Sequence, residues 1–201
     1  MSQKDEAIKQ VFGFKNKGLE SMSGPGSSID ATPEIRVFLP YIFEKYEIST
    51  VVDAPCGDMN WMRFINLNKV NYLGIDIVDE IVSQNVINYP GLKFMQLDII
   101  SNPIPYAECY IIRDFFIHLL NEDVLIILNK LKKSKVKYLI STSFPYLKTN
   151  IDQIEENHEG RYGFRKLNLS IQPYNLGAPI ESIVEKNTVC EGRIVGLWEL
   201  I

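Results

Sequence analysis

The chain has 201 residues and 46% hydrophobic content, enough to bury one substantial core, so a single α/β domain is expected over 1–201. Lys plus Arg number 21 against 25 Asp plus Glu, and the formal charge of −4 gives no electrostatic reason to bind a polyanion.

Residues 1–20 read as a short amphipathic helix, with Ile8, Val11 and Phe12 at helical spacing. The stretch SMSGPGSS (21–28) then breaks regular structure, since Gly and Pro punctuate turns. A second helix is expected over 33–46, with Pro33 in its first turn where a missing N–H does no harm. From there strands and helices alternate. STVVDA (49–54) is a strand, 58–67 a helix, NYLGID (71–76) a strand, 79–88 a helix and LKFMQLD (92–98) a strand. ECYIIRD (108–114) is the fourth strand, 121–133 a helix and VKYLIST (136–142) a fifth strand. The five lysines between 130 and 137 read as the solvated, cation-rich end of that last helix. Residues 144–178 look irregular, and 180–185 and 193–201 read as closing strands that join the sheet antiparallel.

This order implies βαβ units with right-handed crossovers. The expected fold is a three-layer α/β/α arrangement on a mostly parallel, seven-stranded sheet with an antiparallel closing strand. Within it, 1–47 would be a helical extension, 48–142 the ligand-binding core, 143–179 an irregular insertion or lid, and 180–201 the closing strands. The N-terminus lacks a signal-like apolar stretch, and no apolar run approaches the roughly 20 residues that span a bilayer. Cys56, Cys109 and Cys190 show no C-x-x-C spacing. A cytoplasmic protein, neither bound to nucleic acid nor inserted in a membrane, is the expectation.

In such sheets ligands bind beyond the carboxyl ends of the strands. Four consecutive strands end on an acid: Asp53, Asp76, Asp98 and Asp114. One such carboxylate is commonplace because Asp favours turns and caps, but four in register suggest one acid-lined crevice. Asp76 follows Asp53 by about the 20 residues at which an acid reaches the ribose of a nucleotide held by the first turn. A dinucleotide would need a G-x-G-x-x-G turn to receive its pyrophosphate, and only Gly57 is present, flanked by Asp53 and Asp58. Carboxylates there suit a ligand carrying an ammonium, a sulfonium and a ribose.

These segments resemble the class I, Rossmann-like S-adenosylmethionine-dependent methyltransferases. VVDAPCGD is similar to their first motif, YLGID to the second, FMQLDI to the third and YIIRDFFIHL to the fourth, in order over roughly 48–145. A closer resemblance is to a subgroup met among bacterial surface-polysaccharide methyltransferases, through 23–27, 53–62 and the R-x-LNL stretch 165–169. The resemblance implies S-adenosyl-L-methionine as cofactor. Its amino-acid end would lie against Asp53 and the Pro55, Cys56 and Gly57 backbone, its ribose on Asp76 with Ile77, and its adenine on Asp98 with Ile99. Arg113, at the end of the fourth strand, is grouped with them. The chain departs from the pattern where Pro55 and Met59 replace glycine, and proline brings no N–H. Trp61 packs either in the core or against the cofactor.

Methyl transfer from a sulfonium mainly requires that the acceptor be positioned, and an alcohol acceptor also needs a base. His118 lies four positions after Asp114, where a helical turn would place both on one face, with Asp114 orienting the imidazole. The alternative is that His118 caps or packs while Asp114 touches the cofactor. His158 is a candidate lid residue, with Arg161 and Arg165 meeting an anionic or sugar substrate. Asp114 and Asn150 carry no Mg²⁺ signature, so metal-free chemistry is favoured. The fourth motif lacks the Asp/Asn-Pro-Pro-aromatic stretch of adenine-amine methyltransferases. The expected activity is O-methylation of a small-molecule or sugar-like substrate. N-methylation of a small amine and a non-catalytic partner protein of the same fold are the alternatives.

Overall fold

The computed structural model describes residues 20–152, 164–186 and 190–201. The expected helix over 1–20, His158 and Arg161 therefore lie outside the described residues. The elements are α1 (Pro33–Lys45), β1 (Thr50–Asp53), β2 (Asn71–Asp76), α2 (Asp79–Asn88), β3 (Lys93–Gln96), β4 (Cys109–Ile112), α3 (Asn121–Lys133), β5 (Tyr138–Ser143), β6 (Glu181–Val184) and β7 (Ile194–Glu199). The seven strands form one sheet in the order β3-β2-β1-β4-β5-β7-β6, mostly parallel and closed by antiparallel pairings, as expected. No helix among the described residues is long and apolar enough to cross a membrane.

The polypeptide divides between Asp98 and Ile99 into two compact units. In the first, β1 pairs in parallel with β2, setting Asp53 opposite Gly74, and β2 pairs in parallel with β3. Val51 and Val52 of β1 and Ile75 of β2 are almost fully buried, as strands covered on both faces require. α2 packs on β2 and β3. On α1 the buried residues Ile35, Phe38, Leu39 and Ile42 recur at three- and four-residue spacing, the stripe of a helix laid on a core.

The helix expected over 58–67 does not form; only a single 3-10 turn, Met62–Phe64, is present. Gly57 and Met59 both adopt left-handed φ, +55° and +60°, which an α-helix cannot accommodate. The following turn is short and is closed by Arg63 N–H donating to the Met59 carbonyl.

In the second unit, β4 and β5 are parallel and β5 is buried along its whole length. β7 runs antiparallel to β5, and β6 antiparallel to β7, the antiparallel closing strands expected. α3 buries Val124, Ile127, Leu128 and Leu131, again at helical spacing. The lysine run is not purely solvated: Lys130 Nζ donates to the carbonyls of Ile99, Ile100 and Asn102 at 3.1, 2.6 and 2.7 Å.

Residues 144–180 hold neither helix nor ladder strand among those described, and side chains supply the missing order. Asn168 donates from Nδ2 to the carbonyls of Pro145 and Leu147, while Asn150 accepts from Asn168 N–H and donates to the carbonyls of Asn168 and Gln172. Leu167 and Leu169 are fully buried between these contacts.

Candidate functional site

β1 and β2 end side by side, and the turn after β1 folds back onto β2. Cys56 N–H donates to the Ile75 carbonyl at 2.8 Å, and Gly57 N–H to Asp76 Oδ2 at 3.1 Å. Asp76 Oδ1 accepts the Val78 N–H at 3.0 Å. Asn85, from α2, donates to the Gly57 carbonyl at 2.7 Å and braces the turn from below. Gly74 is required here: a Cβ on it would come within 2.6 Å of the Phe94 ring and 3.0 Å of Cys56 Sγ.

The Pro55, Cys56 and Gly57 backbone was expected to hold the amino-acid end of the cofactor. Pro55 has no N–H, and the other two point into the protein, one of them claimed by a carboxylate of β2. Asp58, which flanks the turn, accepts the Ser21 Oγ hydrogen at 2.8 Å and Met22 N–H at 2.7 Å, tying down the segment 20–32. Asn60 adds to this anchor, donating to Glu20 Oε1 and the Ser27 carbonyl. Ser23 Oγ in turn accepts Asp58 N–H at 3.4 Å and sits where a Cβ on Gly57 would lie, 2.0 Å away. The Gly-Pro-rich stretch that reads as a plain break in the sequence is thus a strap over the first turn.

What remains at this end of the unit is acidic. Asp53 is 3% exposed and accepts the Tyr72 hydroxyl at 2.8 Å; Tyr72 also lies 3.1 Å from Met59 Sδ. Asp76 is 6% exposed, and burial raises its carboxyl to about 6, against the lowering effect of the Val78, Gly57 and Ile77 backbone donors. Burial also pushes the Cys56 thiol up, helped by Asp76 and Asp53, so it is held as an inert thiol. Both Asp76 oxygens are engaged by backbone N–H groups, Oδ2 by Gly57 and Oδ1 by Val78. Ile77 and Asp98 are half-buried, and Trp61 is buried.

The second unit carries the other candidates. Ile99 is buried and its carbonyl holds Lys130. Asp114 has φ +54° and directly follows Arg113 at the end of β4. The Thr142 hydroxyl donates to Asp114 Oδ1 at 2.8 Å and accepts Asp114 N–H at 2.9 Å. Arg193 Nη1 reaches Asp114 Oδ2 at 2.9 Å and Arg113 Nη1 reaches it at 3.2 Å. Burial works to raise the Asp114 carboxyl, but Arg113, Arg193, Thr142 and His118 together hold it below the usual range. His118 closes a 3-10 turn, Phe116–His118, instead of the α-helical turn expected, yet its charge still acts on Asp114.

Arg113 was grouped with the cofactor residues. Its Nε and Nη2 both donate to Glu185 Oε1, at 3.1 and 2.9 Å, in a pair almost sealed from solvent. Arg165 was expected to meet the substrate. It is 4% exposed, and its fork donates to the carbonyls of Leu119 and Ile151 and to the Tyr174 hydroxyl, at 2.7, 3.0 and 2.8 Å. These bonds fasten the irregular stretch to the segment that follows β4. Glu185 and Arg193, missed in the sequence, belong to the Asp114 cluster; they sit at the facing ends of two strands with nothing local to mark them.

No family model and no curated relative matches the sequence. Solved structures do match in fold. An S-adenosylmethionine-dependent methyltransferase from Leishmania major superposes with a TM-score of 0.67 at 10% identity, over 96% of this chain and 80% of its own. Magnesium protoporphyrin IX methyltransferase from Synechocystis, with bound S-adenosylmethionine, gives 0.63 at 12% identity over 98% and 92%. The mitomycin 7-O-methyltransferase gives 0.64 at 15% identity over 96% and 60%. The chain therefore has the fold found in S-adenosylmethionine-dependent methyltransferases.

Proposed function

We propose that the protein is an S-adenosylmethionine-dependent methyltransferase acting on an oxygen of a small or sugar-like acceptor. The observation that carries the reading is the polarity of the first turn. Its N–H groups at 56 and 57 are consumed internally, while the carboxylates of Asp53 and Asp76 stand at adjacent strand ends. Such a site has no nest for a pyrophosphate and suits hydroxyl donors and a cation. Asp76 would hold the ribose and Asp53 the ammonium end; the half-buried Asp98 with Ile77 would border the base. The bound group supplies a methyl on an already activated sulfonium.

The protein's own contribution is then to orient the acceptor and take its proton. His118 is the base in this reading, and Asp114 holds it. The sugar-like acceptor rests on the subgroup resemblance of 23–27, 53–62 and 165–169. Calorimetric titration is expected to show binding of S-adenosylmethionine and none of NAD⁺. An Asp76→Asn variant should bind at least about tenfold more weakly, the scale of one lost charge-assisted hydrogen bond. Binding of NAD⁺ in preference, or S-adenosylmethionine affinity untouched by Asp76→Asn and Asp53→Asn, would refute it. His118→Ala should abolish turnover but spare cofactor binding; retained turnover would favour an amine acceptor, which needs no base.

A further inference from the structure

Three buried charges, Arg113, Glu185 and Arg193, gather with the half-buried Asp114 where β4 and β6 end and β7 begins, and the proposed chemistry uses only Asp114 directly. Glu185 follows β6 and Arg193 precedes β7, so the two face each other across the ladder, with Glu185 N–H donating to the Arg193 carbonyl at 3.2 Å. Glu185 is wholly buried and holds both arginines, Arg113 through Oε1 at 2.9 Å and Arg193 through Oε2 at 2.7 Å. The second contact is a charge pair without hydrogen-bond alignment, and Arg193 Nε has no hydrogen-bond partner among the described residues. Two buried N–H groups of Arg193 thus go without hydrogen bonds while Nη1 keeps a well-made bond to Asp114. Leaving buried donors unpaired is costly, so packing for stability alone is a poor account of this arginine. The favoured contact is the one to Asp114.

We propose that Glu185 and Arg193 are positioning residues, which fix the Asp114 carboxylate against His118 from the closing strands. The inference rests on the reading of His118 as the base. Asp114 is met by Arg113 just after β4, Arg193 just before β7 and the Thr142 hydroxyl from β5, with Glu185 behind both arginines, and His118 in the turn after β4 acts on it electrostatically. Glu185 neutralises part of the arginine charge, and what remains determines how strongly the carboxylate acts on the imidazole. The two residues should therefore act in opposite directions.

The test is the proton titration of His118 followed by NMR in the full chain, with the His118→Gln variant identifying its signal. Arg193→Gln removes a cation beside Asp114, and the His118 midpoint is expected to move up. Glu185→Gln, nearly isosteric, releases the arginines onto Asp114, and the midpoint is expected to move down. In an Asp114→Asn background both shifts should shrink, because the carboxylate transmits them. Unmoved midpoints, or shifts undiminished in that background, would overturn the proposal. Should Arg193→Gln fail to fold, Glu185→Gln with and without Asp114→Asn decides alone. The titration needs no cofactor, so calorimetry with S-adenosylmethionine on the same proteins separates failure of this inference from failure of the methyltransferase reading.

Discussion

Asp76 shows how burial sets the charge state of a single carboxylate. Burial favours its neutral form, lifting it from 3.8 to about 6. The sign follows directly: its contribution to stability is fully present below 3.8 and is lost as pH rises through 6. The stability difference between wild type and Asp76→Asn should thus drift against wild type between pH 4 and 6, by about 3 kcal/mol at most. Parallel urea titrations measure that difference, and a flat one would contradict the buried-carboxylate account. Cofactor affinity should run the other way, weakening by up to about tenfold per pH unit below 6, because the ionised form accepts the ribose hydroxyls and faces the cation. Gly57 is the second decisive residue. Its φ of +55° and the Ser23 hydroxyl beside it leave no room for a side chain. Gly57→Ala should cost about 1–2 kcal/mol from the backbone conformation alone, read as a lowered Tm.

Two irregular segments behave as built elements because polar side chains stand in for a ladder. The strap 20–32 hangs on Asp58 and Asn60. Asp58→Ala should loosen it by about 1 kcal/mol, seen as faster proteolytic cleavage within 20–32 with the Tm only slightly lowered. The stretch after β5 hangs on Arg165, whose removal strands three acceptors. Arg165→Met should lower stability by about 3 kcal/mol, whereas a residue reserved for substrate would leave the Tm unchanged. Spacing makes α1, α2, α3 and the strands readable, since the 3.6-residue and buried-run patterns are local. The failed helix at 58–67 was set by contacts 36 residues away in sequence, where Asp58 meets Met22, and by two left-handed residues that no local pattern announces.

For the molecule as a whole, a ligand that binds only the folded state stabilises it by mass action. S-adenosylmethionine at one hundred times its dissociation constant should add about 2.7 kcal/mol. For a chain this size that is a rise of roughly 5–10 °C in Tm, and NAD⁺ at the same concentration should give none. Sequence alone determined the alternation of strands and helices, the sheet class and the acids at or just past the ends of β1, β2, β3 and β4, because burial period and turn chemistry are written locally. Which partners the acids take was decided by tertiary structure. Asp58 went to the strap, Asp114 to the arginines of β4 and β7, and the N–H groups of the first turn to β2. Hydrogen-bond partners far apart in the chain are chosen by packing, and a donor once claimed in the interior is no longer free for a ligand.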